Sequence, residues 1–189
     1  MTEAVSLAGR LLVATPALTD PNFDRAVVLL LDHDAEGTLG VVLNRPTGVE
    51  VGSVLESWGG LAGEPAVVFQ GGPVALDSAL GLAVVPGEWP AGEFLGWRRV
   101  HGAIGLVDLE SPPELLAPEL GSLRIFAGYA GWAPGQLEDE LLEGVWYLVE
   151  SEPGDVSSPD PERLWRAVLR RQRGELALVA TYPDDPSLN

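Results

Sequence analysis

The sequence predicts an α+β fold, and three observations carry that expectation. Strand-like segments bounded by glycine or proline dominate the first two thirds of the chain, the two well-specified helices come late, and regular βαβ alternation is missing. Gly 23 and Pro 16 together make 39 of 189 residues, so turns should be many and elements short. With 46% hydrophobic residues the chain can fill one core of ordinary size, and a single domain spanning 1–189 is expected.

Residues 11–14 read as a first strand and 26–34 as a second. The apolar part of the second shows no alternation, which suits a central strand buried on both faces. Asp34-Ala35-Glu36-Gly37 supplies a turn, and Thr38 to Asn44 returns, giving a hairpin that Asn44-Arg45-Pro46-Thr47-Gly48 ends. A short helix fits Val51 to Trp58, closed by Gly59-Gly60. Further strands fit Ala66 to Gln70, Leu80 to Val85, Ala103 to Leu109 and Leu123 to Phe126, while Pro86 to Gly102, with Trp89, Pro90, Gly92 and Trp97, reads as a loop with aromatic anchors. Pro134 to Gly144 reads as a helix with carboxylates near its positive end. Pro161 to Arg173 is the clearest helix, with Asp160 as N-cap and Gly174 just past its end.

Composition excludes several chemistries. The chain holds 28 Asp plus Glu against 11 cations, all of them arginine, for a net charge of −17. Without lysine there is no Walker A loop and no Schiff-base residue; without cysteine there is no disulfide, thiolate nucleophile or iron–sulfur cluster. Two histidines, His33 and His101, outside any HExxH spacing, set the expectation of no metal and no cofactor. The negative charge repels DNA phosphates and anionic membranes, so a protein or small-molecule partner is expected in place of nucleic acid or membrane. The longest aliphatic run, Ala26 to Leu31, is far below the ~18 residues of a membrane span, and Arg10 interrupts the stretch a signal peptide would need. A cytoplasmic monomer is expected.

Candidate chemistry is sparse. On a helical wheel Glu138 falls about 100° from Leu137, inside an apolar sector of Leu137, Leu141, Leu142 and Val145. A carboxylate there needs a partner, which without lysine must be an arginine, a histidine or a set of backbone donors, or else it serves as a general acid or base. Among the arginines Arg45 is the expected partner, since Pro46 holds it extended at a strand end. His33, between Asp32 and Asp34, is a second candidate base. Five of the eleven arginines lie between 163 and 173, and residues 138–162 hold nine acids and no base, so this stripe is expected to be a solvated, self-paired face. The run LRIFAGYAGWAPGQ lacks the GxGxxG spacing of a dinucleotide site; its glycines read as a tight turn, and Tyr129 and Trp132 as packing or pocket-lining residues. Gln70-Gly71-Gly72-Pro73 reads likewise as a turn, with approach of its backbone to a ligand as the alternative. No GxSxG elbow is present.

Taken in order, Gly9 to Pro16, Asp20-Pro21-Asn22-Phe23-Asp24-Arg25, the His33 turn, Gly40 to Pro46, Gly71-Gly72-Pro73, and Gly128-Tyr129-Ala130-Gly131-Trp132 running into Gly135-Gln136-Leu137-Glu138 resemble the YqgE/AlgH family of small bacterial proteins. Leu164-Trp165 matches as well, whereas Val156-Ser157 stands where an aromatic residue is expected. The resemblance implies a bent, bifurcated β-sheet folded into a pseudo-barrel with flanking helices. It implies no known reaction; the family's usual label is transcriptional regulator. A binding or regulatory role, with Asn44, Arg45, Gly71, Gly72, Tyr129, Trp132, Gln136 and Glu138 converging on one cleft, therefore takes precedence over an enzyme using Glu138 or His33 as acid or base with Arg45 binding an anion.

Overall fold

The computed structural model describes residues 6–86, the backbone of 93–94, and residues 96–182. Trp89, Pro90 and Gly92 of the expected loop lie outside these residues. Eleven strands form one sheet: β1 (Leu11–Ala14), β2 (Val27–Asp34), β3 (Gly37–Val42), β4 (Pro46–Glu50), β5 (Val67–Gln70), β6 (Val74–Val84), β7 (Glu93–Phe94), β8 (Trp97–His101), β9 (Ile104–Val107), β10 (Ser122–Trp132) and β11 (Trp146–Val149). Their order is β11-β1-β2-β3-β10-β6-β9-β8-β7, with β5 joining β10 and β4 joining β5. Every pairing is antiparallel except β5 with β10, and the sheet curls into a half-barrel with a few flanking helices.

The β2–β3 hairpin forms where the sequence places it, and Val27 to Leu31 are buried, as a central strand without alternation requires. Pro46 opens β4 instead of only ending the hairpin, the first residue of a strand being a position where proline's missing donor is tolerated.

β10 departs most from expectation. It runs unbroken for 11 residues through Gly128 and Gly131, where the sequence suggests a turn. Its first half pairs with β6 and β5, its last three residues with β3, and this change of partner splits the sheet. Glycine is required at the crossing: a Cβ on Gly71 would lie 2.4 Å from the Gly128 carbonyl oxygen, and one on Gly72 would lie 2.2 Å from the Tyr129 carbonyl. Gly128 itself has φ +76°, the left-handed region.

Among the described residues six short helices flank the sheet: α1 (Val51–Val54), α2 (Pro113–Leu116), α3 (Gln136–Leu142), α4 (Pro153–Val156), α5 (Leu164–Arg170) and α6 (Glu175–Val179). The expected 51–58 helix is one turn of α1 followed by a 3-10 segment, Glu56–Leu61. The expected helices at 134–144 and 161–173 are realised as α3 and as a 3-10 turn (Pro161–Arg163) leading into α5. Part of the expected 86–102 loop is strand β8, which pairs with β9.

Three apolar clusters result. Leu11, Leu29, Phe69, Phe126 and Trp165 pack between the sheet and α5; Leu137, Trp132 and Trp146 pack with Phe23 beneath α3; Trp58, Trp97, Leu116 and Ile125 form the third. In the second cluster the rings of Phe23, Trp132 and Trp146 meet pairwise at centroid distances of 5.6, 6.2 and 6.5 Å, the range of favourable aromatic contact.

Candidate functional site

Three arginines meet beside the end of β3. Arg25, Asn44, Arg45, Glu162, Trp165 and Arg166 line a cavity of about 160 Å³. The Asn44 side chain, 7% exposed, straps the preceding turn: its Oδ1 accepts from the Val27 N–H at 3.0 Å, and its Nδ2 donates to the Arg25 carbonyl at 2.8 Å. Arg25 is held at φ 57°, a left-handed conformation costly for a residue with a side chain. Its guanidinium lies 4.2 Å from the Trp165 ring centroid, and that of Arg166 lies 5.6 Å from the same ring. Arg45 Nη2 donates to the Asp24 carbonyl. Burial lowers the Arg45 pKa, and the neighbouring Asp24 carboxylate partly offsets this.

Asn44 and Arg45 were legible candidates in the sequence; Arg25, Trp165 and Arg166 were not placed with them. Arg166 also corrects the expectation of a solvated stripe, since its Nη1 donates to the Ala180 and Tyr182 carbonyls at 2.5 and 2.7 Å. Two other members of the stripe pair within the chain: Arg163 meets Asp160 at 3.3 Å, and Arg171, largely buried, meets Asp155 at 2.5 Å.

The expected Glu138–Arg45 pair does not form. Glu138 Oε1 lies 2.5 Å from His33 Nε2, joining the first residue turn of α3 to the far end of β2. The wheel misleads because Leu142, counted as part of the apolar sector, is 88% exposed, so the buried stripe is Leu137 with Leu141 and Glu138 sits at its rim. The Glu138 side chain is 48% exposed while that of His33 is 8% exposed. His33 Nδ1 accepts the Leu7 N–H at 3.1 Å, which puts the ring proton on Nε2, facing Glu138. Both ring nitrogens are therefore engaged.

The hydrogen bond from His33 holds the Glu138 carboxyl below the usual carboxylate range. A carboxylate with a lowered pKa contributes stability above the ordinary glutamate range and loses it as pH falls through the lowered value. We expect a carbon-detected titration of Glu138 to show a depressed midpoint that returns to an ordinary value in His33→Phe. An unshifted midpoint in the native chain would contradict the pairing.

Glu140, not singled out in the sequence, gathers more partners. Its Oε1 accepts the indole N–H of Trp132 at 3.1 Å and of Trp146 at 2.9 Å, and its Oε2 accepts from Gln136 Nε2 at 2.9 Å. Trp132 and Gln136 thus belong to a structural network beneath α3, apart from the arginine cavity. Tyr129 packs against the cluster that contains Phe69 and Phe126, and Gly71 and Gly72 abut the β10 backbone. The eight expected binding residues therefore do not share one cleft; Asn44 and Arg45 line the arginine cavity and the others fall into separate neighbourhoods.

A buried cation also escaped sequence reading. Arg124, 3% exposed within the apolar run of β10, donates from Nη2 to the Glu64 and Ser158 carbonyls at 2.9 and 2.8 Å and stacks 4.4 Å over Phe69. Burial pushes its pKa down to about 10. No cluster of three or more metal-ligating side chains occurs among the described residues, nor any helix long and apolar enough to cross a membrane.

The same arrangement of strands is found in known proteins. A crystal structure of a Corynebacterium diphtheriae protein superposes with TM-score 0.90 at 32% identity, covering 96% of this chain and 95% of that one. The solution structure of the AlgH protein from Pseudomonas aeruginosa gives TM-score 0.66 at 30% identity, over 97% and 98% of the two chains. A UPF0301 protein of Streptomyces coelicolor is 81% identical over 100% of this chain and 98% of its own length, and one of Thermobifida fusca is 50% identical over 99% and 98%. The AlgH-like family model matches residues 11–177, which takes in the Asn44–Arg45 turn, the Gly71–Gly72 crossing, β10 and the arginines of α5. On this full-length agreement of sequence and fold, the chain belongs to the AlgH-like family.

Proposed function

We propose that this chain is a non-catalytic binding protein whose site is the cavity of Arg25, Asn44, Arg45 and Arg166, and whose ligand is a small oxyanion, a carboxylate or a phosphate group. One observation carries the reading: in a chain of net charge −17, three of eleven arginines line one cavity of about 160 Å³ together with Asn44, Glu162 and Trp165. Guanidinium groups match carboxylate and phosphate oxygens two at a time, and a partly buried set does so with less screening by water. The strained backbone at Arg25 supports the same reading, since such strain gathers at functional sites.

The engagement of both His33 nitrogens favours binding over acid–base chemistry, because neither is left to take a substrate proton. Any regulatory output works through the ligand or a protein partner, since the overall charge opposes contact with a DNA groove.

Isothermal calorimetry with inorganic phosphate and with succinate tests the proposal. One of the two should bind the native chain saturably, and Arg45→Met should weaken it at least tenfold, about 1.4 kcal/mol. Arg173→Met, on the exposed end of the stripe, should leave binding unchanged. Equal affinity in native and Arg45→Met chains would refute the site.

A further inference from the structure

A second surface, independent of the arginine cavity, has the opposite chemistry. A groove of about 410 Å³ runs over the outer side of β5, β10 and β6, within the ~300–1,000 Å³ range of ligand pockets. Its floor includes Val68, Ile125 and Ala127; one wall is Val49 and Val54 of β4 and α1, and the other is Leu76. Several of these side chains are far more exposed than their size warrants: Val49 45%, Val54 57% and Leu76 54%, with Val74 beside them at 39%.

The Leu76 wall is an irregularity in β6. Tyr129 of β10 pairs with Val74 and Ala127 pairs with Ala79, so Ala75 to Ser78 have no counterpart in that ladder, and β9 pairs only from Gly81 onward. Ala75 is held at φ 50°, a left-handed conformation for a residue with a Cβ. Among the described residues this irregular segment has no cross-strand counterpart, and it borders an apolar groove, an arrangement related to the sheet edges that bind a peptide by adding a strand.

Charge identifies the occupant. Among the described residues the one charged side chain lining the groove is Asp77, and the exposed Glu50 and Glu56 bracket α1. A second copy of this chain would bring another −17 to the contact, whereas a basic segment would be drawn to it. We infer that the groove docks a short extended segment of a partner protein, apolar at alternate positions and carrying lysine or arginine between them, paired in part with the main chain of Ala75 to Ser78.

Selection from a displayed random-peptide library on the immobilised full chain, followed by affinity measurement of the enriched peptides, tests this. The expected result is enrichment of alternating apolar and basic sequences whose affinity falls at least tenfold in Leu76→Arg and in Val54→Ser. Leu142→Ser, an exposed apolar position at α3 that is 88% exposed, should leave it unchanged. Circular dichroism and melting of each variant separate loss of binding from loss of fold. Asp77→Asn should weaken binding and reduce its dependence on salt. Peptides that bind Leu76→Arg as tightly as the native chain would overturn the inference. So would enrichment of acidic or uniformly apolar sequences, or a sedimentation profile in which the chain dimerises and Leu76→Arg abolishes the dimer.

Discussion

Arg171→Met is expected to destabilise the fold by about 3–5 kcal/mol, the cost of leaving a buried carboxylate, Asp155, without its charged partner. The Asp155 carboxylate is 3% exposed and meets the Arg171 guanidinium through two bonds, Nη1 to Oδ1 at 2.5 Å and Nη2 to Oδ2 at 2.7 Å. Oδ2 also accepts the Glu152 N–H at 2.7 Å, so the same side chain caps α4. Bonding to Asp155 raises the Arg171 pKa. A raised base contributes its stability below its ordinary pKa and loses it only as pH climbs through the higher value, so the contribution is constant across neutral pH. Asp155→Ala should cost less, because the Arg171 side chain is 26% exposed and keeps Glu152 at 3.2 Å, and the double mutant should lose less than the sum of the two. Urea unfolding of the four chains checks this, and additive losses would show that the two side chains act independently.

The second large effect is expected at Glu140. Glu140→Leu removes the acceptor shared by the indole groups of Trp132 and Trp146, which are 6% and 4% exposed, and leaves two buried N–H donors without a partner. At about 1–3 kcal/mol for each of the two orphaned groups, a loss of roughly 2–6 kcal/mol follows. Glu140→Gln keeps an oxygen in place and should cost under about 1 kcal/mol. Tryptophan fluorescence during denaturation reads both variants; equal losses for the two would mean that packing, not the shared acceptor, sets the stability of this cluster.

Glu140 and Glu138 also mark the limit of what a helical wheel reveals. On α3 they lie at about −60° and 100° from Leu137, on either side of the stripe made by Leu137 and Leu141. Which rim carboxylate becomes structural depends on what the rest of the fold brings to each side. Trp132 and Trp146 flank the helix in sequence and arrive at Glu140, and their indole N–H groups, which need an acceptor when buried, were the readable clue. His33 comes from more than a hundred residues away, and no local pattern announces it.

The same distinction holds for the fold. The β2–β3 hairpin and α5 were legible because their signals are local: an apolar run with a glycine turn, and an N-cap with a proline at the first helical position. From sequence alone β10 ends at Phe126, because glycine usually ends a strand. Here Gly128 is needed where the backbone passes against that of Gly72. β8, Trp97-Arg98-Arg99-Val100-His101, reads as polar loop because Arg98 and Arg99 stay exposed and only pairing with β9 makes it a strand. The arginine cavity was half visible: Asn44 and Arg45 carry a motif, while Arg25, Trp165 and Arg166 are joined to them only by the curl of the sheet.

Side-chain Nε–Hε correlations of the arginines, followed by NMR while inorganic phosphate or succinate is added at constant ionic strength, test the oxyanion site most directly. The signals of Arg25, Arg45 and Arg166 should shift together and saturate with one affinity, while those of Arg163, Arg170 and Arg173 stay in place. Shifts spread evenly over all six, or none at Arg45, would contradict it.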